Sequence, residues 1–313
     1  MKVLFVAGGN TEKFGIPPLI KAQGESLKQH GVDISYFPIT GKGFKGYLSS
    51  ISKLKNYIKN NPVDVIHAHF SFSGIVASLA KTKTPVVVSL LGTDVNGSGL
   101  LKKMILKCLP LFSWKAIIVK SEEMSKKLGK TKSHIIPNGV DTGLFKPLEQ
   151  AQCKKQLNWN NEKIHILFAA NPKRLEKNFT LAKEAIKRLD NNKIELHFFE
   201  NVEHQNIPVW LNAANLVLLS SLWEGSPNVI KEAMVCNCPI VATNVGDIEW
   251  LFGNEPGHFL ADFTPEDFAN NIALALDFAK KNKKTNGRKR ILKLGLDSET
   301  VAKKIIEIYK SVL

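Results

Sequence analysis

Short runs of consecutive apolar residues alternate along this chain with longer amphipathic stretches, which predicts strands and helices in turn. Lys2 to Ala7 (KVLFVA) has the length of a buried strand and is closed by Gly8-Gly9. Pro17 to His30 predicts a helix stopped at Gly31, and Val32 to Phe37 a second strand. A Gly and Lys loop, Gly41 to Gly46, leads to a basic helix over Leu48 to Lys59. Val63 to Ile66 is a third strand ending in His67-Ala68-His69. Pro85 to Leu90 is a fourth and Ala116 to Val119 a fifth. Between these last two, Gly99 to Trp114 predicts a helix with a leucine-rich face and lysines at 102, 103 and 107, and beyond Val119, Ser121 caps a short helix to Leu128. After a polar crossing, Leu148 to Lys163, the pattern begins again. Strands are expected at Ile164 to Ala169, Ile194 to Phe199, Leu216 to Ser220, Ile240 to Thr243 and Phe259 to Leu260, with helices at Phe179 to Leu189 and Ile207 to Ala214. Pro265 to Lys281, Thr285 to Leu294 and Ser298 to Leu313 read as closing helices, the last with Val301, Ile305, Ile308 and Val312 on one face. Strands separated by helices predict parallel sheets, hence an α/β fold, here twice over.

The densest chemistry lies in Leu216 to Ile248, LVLLSSLWEGSPNVIKEAMVCNCPIVATNVGDI. A strand, a tight polar loop, a helix and a further strand make a βαβ unit, whose first loop faces the ligand crevice of an open parallel sheet. Ser226 is a good N-cap and Pro227 suits the first helical position, with the helix ending near Asn237. The free N–H groups of Asn228, Val229 and Ile230 are then available to a phosphate. Glu224 in the loop and Glu232 in the helix add two carboxylates. An ionised carboxylate only accepts hydrogen bonds, so it matches a vicinal diol. A nucleotide sugar supplies both phosphates and two polyols; a bare Glu pair at this spacing is otherwise an ordinary solvated loop and helix.

Composition narrows the class. At 313 residues, 44% apolar and 23% charged, the chain suits a globular protein of two domains. No apolar run approaches the ~18 residues of a membrane span, and Val3 to Ala7 is too short for a signal-peptide core. Cys108, Cys153, Cys236 and Cys238 fit no metal spacing and read as reduced thiols of a cytosolic protein. Residues 1 to 145 hold 20 Lys, no Arg and 8 acidic residues, a net +12 of the chain's +15. That excess is either solubility or a face for an anionic partner, a membrane surface or a phosphorylated acceptor. No aromatic-and-basic module points to nucleic acid. The lysine-bearing helix from Gly99 likewise suits a membrane surface or an ordinary domain edge.

SLWEGSPNVIKEAM followed by CPIVATNVGDI closely resembles the donor-site signature of the family 4 glycosyltransferases, retaining enzymes of the GT-B fold. The resemblance implies two Rossmann-like doubly wound parallel-sheet domains facing a cleft. Residues 1–147 would bind the acceptor and 148–297 the nucleotide sugar, with 298–313 crossing back to the first domain. It implies that Glu224 contacts the donor sugar and Glu232 the ribose, with Gly225, Ser226, Pro227, Asn228 and Val229 forming the donor loop. Ile135 to Asp141 (IIPNGVD), then Phe145 and Pro147, matches the end of the family's first domain. Gly9 would sit in the Gly-rich turn near the diphosphate. Lys177 aligns with a diphosphate-gripping Lys, and Arg174 stands nearer to it than the family Arg does. DVIHAH is a frequent strand end in the family, so His67 and His69 read as cleft or packing residues, or as a metal pair lacking a third ligand. Where the family has His-Gly-Thr-Asp this chain has Leu91-Gly92-Thr93-Asp94, which leaves His69 or Asp94 to act on the acceptor side.

The chain contains no Asp-x-Asp, the usual carboxylate pair for a divalent ion, so no metal and no cofactor are expected. Lys177, Arg174 and the helix N-terminus would supply the positive field for the leaving diphosphate. The expected activity is front-face, retaining transfer of a hexose from a UDP- or GDP-linked donor to a glycan, lipid-linked or envelope-precursor acceptor. It would take place in the cytoplasm, with attachment to the inner face of the membrane left open. A non-catalytic nucleotide-sugar binder and a sugar-nucleotide epimerase share the fold and stay as alternatives.

Overall fold

The computed structural model describes residues 1–9, 15–41, 43–96, 114–129, 131–282 and 284–313. The chain forms two compact units, Met1–Gly139 with Ser298–Leu313, and Val140–Asp297.

In the first unit six parallel strands run in the order β2-β1-β3-β4-β5-β6. They are β1 (Lys2–Gly8), β2 (Asp33–Ile39), β3 (Val65–His69), β4 (Val86–Ser89), β5 (Ala116–Val119) and β6 (His134–Ile135). Alternate residues of β1 feed two cores. Val3, Phe5 and Ala7 pack on one face, while Leu4 and Val6 pack on the other. Burial on both faces is why this strand reads as an unbroken apolar run. The terminal helix Ser298–Val312 lays Val301, Ile305, Ile308 and Tyr309 onto the Phe5 face. Ser26 Oγ donates to the Ser298 carbonyl at 2.9 Å, at the start of that helix.

The second unit has five parallel strands in the order β11-β10-β9-β7-β8. They are β7 (Ile164–Phe168), β8 (Ile194–Phe198), β9 (Leu216–Leu219), β10 (Ile240–Thr243) and β11 (His258–Ala261). The order reverses between β7 and β9, and the crevice of such a sheet lies beyond the strand ends at that reversal. Leu167, Val217, Leu219, Ile240 and Ala242 enter one core, and Ile166, Phe168, Leu216, Leu218 and Val241 the other.

The structure moves several expected boundaries. The first unit ends at Gly139, eight residues before the expected Pro147, because the segment beyond it is sewn to the second unit. Val140 N–H donates to the Leu296 carbonyl at 2.9 Å, and Phe145 is 1% exposed in the second unit's core. Arg288 donates to the carbonyls of Phe145 and Thr142, each at 2.9 Å. The motif helix spans Asn228–Val235, so Pro227, with φ −70° and ψ 118°, occupies the cap position that was expected of Ser226. Ser226 Oγ instead takes a hydrogen bond from the buried Lys231 Nζ at 3.2 Å. The helix closes with Asn237 at φ +57°, where Asn237 N–H reaches Met234 O and Cys238 N–H reaches Ala233 O. Helices Ser71–Leu79 and Gly92–Asn96 were not anticipated; the first starts from Phe70 at φ +76°, without a polar cap. The lysine-bearing stretch from Gly99 lies, up to residue 113, outside the described residues.

Candidate functional site

Three loops of the second unit are tied together beyond the C-terminal ends of β7, β9 and β10. Ser220 Oγ donates toward the carbonyls of Lys177 at 3.1 Å and Asn178 at 2.9 Å. Leu222 N–H reaches the Glu176 carbonyl at 2.9 Å, and Thr243 Oγ1 donates to the Ser221 carbonyl at 2.7 Å. Small hydroxyl residues at the strand ends thus satisfy carbonyls of the neighbouring loops. Gly246 has φ +64°, and a Cβ there would lie 2.7 Å from the Gly225 carbonyl oxygen. Both the backbone conformation and the close approach to the Glu224-Gly225 turn require glycine.

Inside this frame Lys177 Nζ and Glu224 Oε1 form an ion pair, with side chains only 10% and 14% exposed. Ser221 Oγ donates to the same carboxylate oxygen at 2.7 Å. The structure therefore joins two sequence-chosen residues that are 47 positions apart. Arg174 does not join them: it is exposed, and its Nε and Nη2 lie 2.8 and 2.6 Å from Glu176 Oε1. Glu232 is buried on the motif helix, its Oε1 3.2 Å from His204 Nε2. The hydrogen bond to Glu232 holds His204 above the usual imidazole value, against the opposing effect of burial. Asn228, first residue of the helix, has a buried Oδ1 with no hydrogen-bond partner.

Behind the loop lies a buried charge pair, one member from each half of the signature. Lys231 is completely buried and burial pulls it down to about 8, with Asp247 and Glu232 opposing that shift. Asp247 is pushed up to about 6 by its own burial, and Lys231 is the chief charge that offsets it. Ser226 and a backbone N–H also lower it, more weakly than Lys231 does. Gly246 and Asp247 lie in the CPIVATNVGDI part of the signature, whereas His204 and Lys231 were missed as working residues. A lysine between Ile230 and Glu232, on the helix face that must be buried, was the available signal for one of them.

The acceptor-side candidates belong to the first unit. Asp94 accepts from Ser71 Oγ at 2.6 Å, Ser71 N–H at 3.1 Å and Leu91 N–H at 2.8 Å. It thereby ties the loops that follow β3 and β4. His67 has both ring nitrogens engaged, Nδ1 with Tyr309 OH at 2.6 Å and Nε2 with Ser89 Oγ at 2.8 Å. These two bonds hold the His67 ring between the terminal helix and the end of β4. His69 stacks on His67 with ring centroids 4.3 Å apart, and burial keeps it well below the usual imidazole value. Its Nε2 is buried without a partner. Gly9 donates its N–H to the Ile39 carbonyl at 2.8 Å, and a Cβ would lie 2.5 Å from Pro38 Cβ. The glycine is thus required by packing against the end of β2. Among the described residues no helix is long and apolar enough to cross a membrane.

Comparison with known proteins accords with this geometry. Residues 14–144 match the family model described as Glycosyltransferase Family 4, and residues 151–277 the model described as Glycosyl transferases group 1. Together the two matches take in most of the chain. TuaC of Bacillus subtilis, whose name assigns it to teichuronic acid biosynthesis as a glycosyltransferase, is 27% identical over 61% of this chain and 55% of its own length. The UDP-Gal:alpha-D-GlcNAc-diphosphoundecaprenol alpha-1,3-galactosyltransferase of Escherichia coli is 25% identical over 74% of this chain and 70% of its own. The chain thus spans little more than half the length of the first of these relatives. In three dimensions, sucrose-phosphate synthase from Thermosynechococcus elongatus superposes with a TM-score of 0.80 at 17% identity, covering 99% of this chain and 98% of that one. HepE of Anabaena in complex with UDP gives a TM-score of 0.77 at 17% identity, over 99% and 100%. These likenesses identify the fold as GT-B. With the Glu224 to Glu232 motif built around Lys177 and both halves matched, the chain belongs to the family 4, group 1 glycosyltransferases.

Proposed function

We propose that this protein is a retaining glycosyltransferase that moves a hexose from a nucleoside-diphosphate sugar to a hydroxyl acceptor without a metal ion. The observation that carries the reading is the near-buried Lys177–Glu224 pair, set among three tied loops that also include the start of the Glu232 helix. A nucleotide sugar can exchange with both members at once. Its diphosphate competes for the Lys177 ammonium, and its sugar hydroxyls donate to the released Glu224 carboxylate. Glu232 accepts from the ribose diol, and the N–H groups at the head of the motif helix face the phosphates.

In the transfer, the bond from the anomeric carbon to the diphosphate oxygen breaks, and Lys177 stabilises the charge that develops there. The acceptor oxygen bonds to the same face of that carbon, and its proton passes to the departing phosphate oxygen. Glu224 is tied to Lys177 and Ser221, which suits a grip on hydroxyls better than attack on the opposite face. Uridine is the favoured base, because HepE is known with UDP and with UDP-glucose, and the E. coli relative is named for UDP-Gal. A glycan or lipid-linked acceptor is favoured by the names of the bacterial relatives. The lysine excess of residues 1 to 145 suits an anionic membrane surface beside it.

Incubation with a panel of nucleotide sugars tests the proposal, with released nucleotide measured and the product's anomeric configuration read by proton NMR. Transfer or slow hydrolysis with retained configuration is expected. An epimerised nucleotide sugar, an inverted product or binding without turnover would each overturn it.

A further inference from the structure

Away from the three loops, two imidazoles and a carboxylate converge on one face of the second unit's sheet. His165 on β7 and Glu195 on β8 are register partners, and His197 follows two residues later on the same side of β8. His165 Nδ1 lies 2.9 Å from His197 Nε2 and 3.5 Å from Glu195 Oε2, and His197 Nε2 lies 3.9 Å from that oxygen. In a tetrahedral zinc site, with metal bonds of about 2.0–2.2 Å, neighbouring donor atoms sit roughly 3.3–3.5 Å apart. The three observed separations bracket that value.

The surroundings prepare the same atoms. His165 Nε2 is 2.7 Å from the Asn160 carbonyl, which has only lone pairs, so Nε2 carries the proton and Nδ1 presents its own lone pair to the cluster. A backbone carbonyl on the remote nitrogen is the usual outer partner of a metal-bound imidazole. Trp159 stacks on both rings, with centroids 4.7 Å from His165 and 3.7 Å from His197, and fixes their planes. The nearby Lys154 charge opposes a cation here, and the Glu195 carboxylate offsets it.

We infer that His165, Glu195 and His197 form a three-ligand site for a divalent transition ion of the zinc type, with water completing the shell. The site is separate from the sugar-nucleotide loops. His165 lies three residues, roughly 10 Å, before the C-terminal end of β7, the end that leads to Lys177. Its role is structural. β8 is an edge strand, paired among the described residues with β7 alone and nowhere fully buried, and an ion bridging the two strands clamps that edge.

The test uses the full chain, stripped with chelator and then titrated with Zn²⁺ by calorimetry and thermal unfolding. Saturable one-to-one binding with a raised melting temperature is expected. Glu195→Gln, at an exposed position, and His197→Ala should each weaken binding by more than about tenfold, since even outer partners command 10–100-fold. Cu²⁺ should quench Trp159 fluorescence, and Trp159→Phe should remove that quenching while Zn²⁺ still binds. Absence of saturable binding, or unaltered affinity in Glu195→Gln, would show the cluster to be a hydrogen-bonded packing motif and overturn the assignment.

Discussion

His204 Nε2 lies 3.2 Å from Glu232 Oε1, so the carboxylate proposed for the ribose is held from outside its own helix. The imidazole comes from a short turn, His204–Asn206, just before the Ile207–Ala213 helix, and leans edge-on against Phe145 with ring centroids 5.3 Å apart. The segment 140–147 that fastens to the second unit thus also supports the site.

This contact predicts a pH dependence. The folded-state value of His204 is raised, so its contribution to stability is complete below the ordinary imidazole value of about 6.5 and disappears as pH rises through the raised value. Thermal unfolding of wild type and His204→Gln should differ most near pH 6 and converge by pH 9. A difference that is constant with pH would mean that His204 acts through packing alone.

Glu232→Gln should weaken nucleotide binding by roughly 1.5–3 kcal/mol, the range for hydrogen bonds to a charged partner. Calorimetry with UDP measures it directly. An unchanged dissociation constant would remove Glu232 from the ribose.

Lys177→Ala should lose most of the transfer rate, because Lys177 is the cation paired with Glu224, while Lys231 is buried behind the loop and Arg174 is engaged with Glu176. At 25 °C the wild type should keep its activity in EDTA even if the separate His165 site is emptied. Activity restored only by Mn²⁺ or Mg²⁺ would overturn the metal-independent reading.

The buried Lys231 and Asp247 should behave as a unit. Asp247→Ala leaves the Lys231 ammonium without its chief offsetting charge, at a cost of roughly 3 kcal/mol in urea unfolding at pH 7. Lys231→Met with Asp247→Asn should recover most of that loss. Lys231 is held below its unfolded value, so the single variant should regain stability as pH rises past 8. Additive single and double variants would show that the two side chains are independent.

If the first unit docks on a membrane, three or four lysines acting together at about 1 kcal/mol each would give weak attachment that fades with salt. Co-sedimentation should favour anionic over neutral liposomes at low salt. Equal binding, or none, would leave the lysines as solubility devices.

Much of this protein was legible in the order of its residues. Apolar runs such as Lys2 to Ala7 and Leu216 to Ser220 could be nothing but strands buried on both faces, and the amphipathic stretches between them forced parallel crossovers. The motif from Glu224 to Glu232 marked the site because its residue types match a ligand with phosphates and diols. Such information is local: it depends on period, length and chemical type within a few neighbouring residues.

Tertiary structure settled which long-range partners each side chain meets. Asp94 and Glu224 are equally good carboxylates in sequence, but Asp94 accepts from Ser71 and Leu91, while Glu224 meets Lys177 across 47 residues. Ser226 could cap a helix by type, and it is diverted because the buried Lys231 needs its oxygen. Lys231 with Asp247, His204 with Glu232, and His165 with Glu195 and His197 are likewise pairings that no residue spacing encodes. Strand order and register bring them together, and burial then makes a charge or lone pair left without a partner too costly to keep.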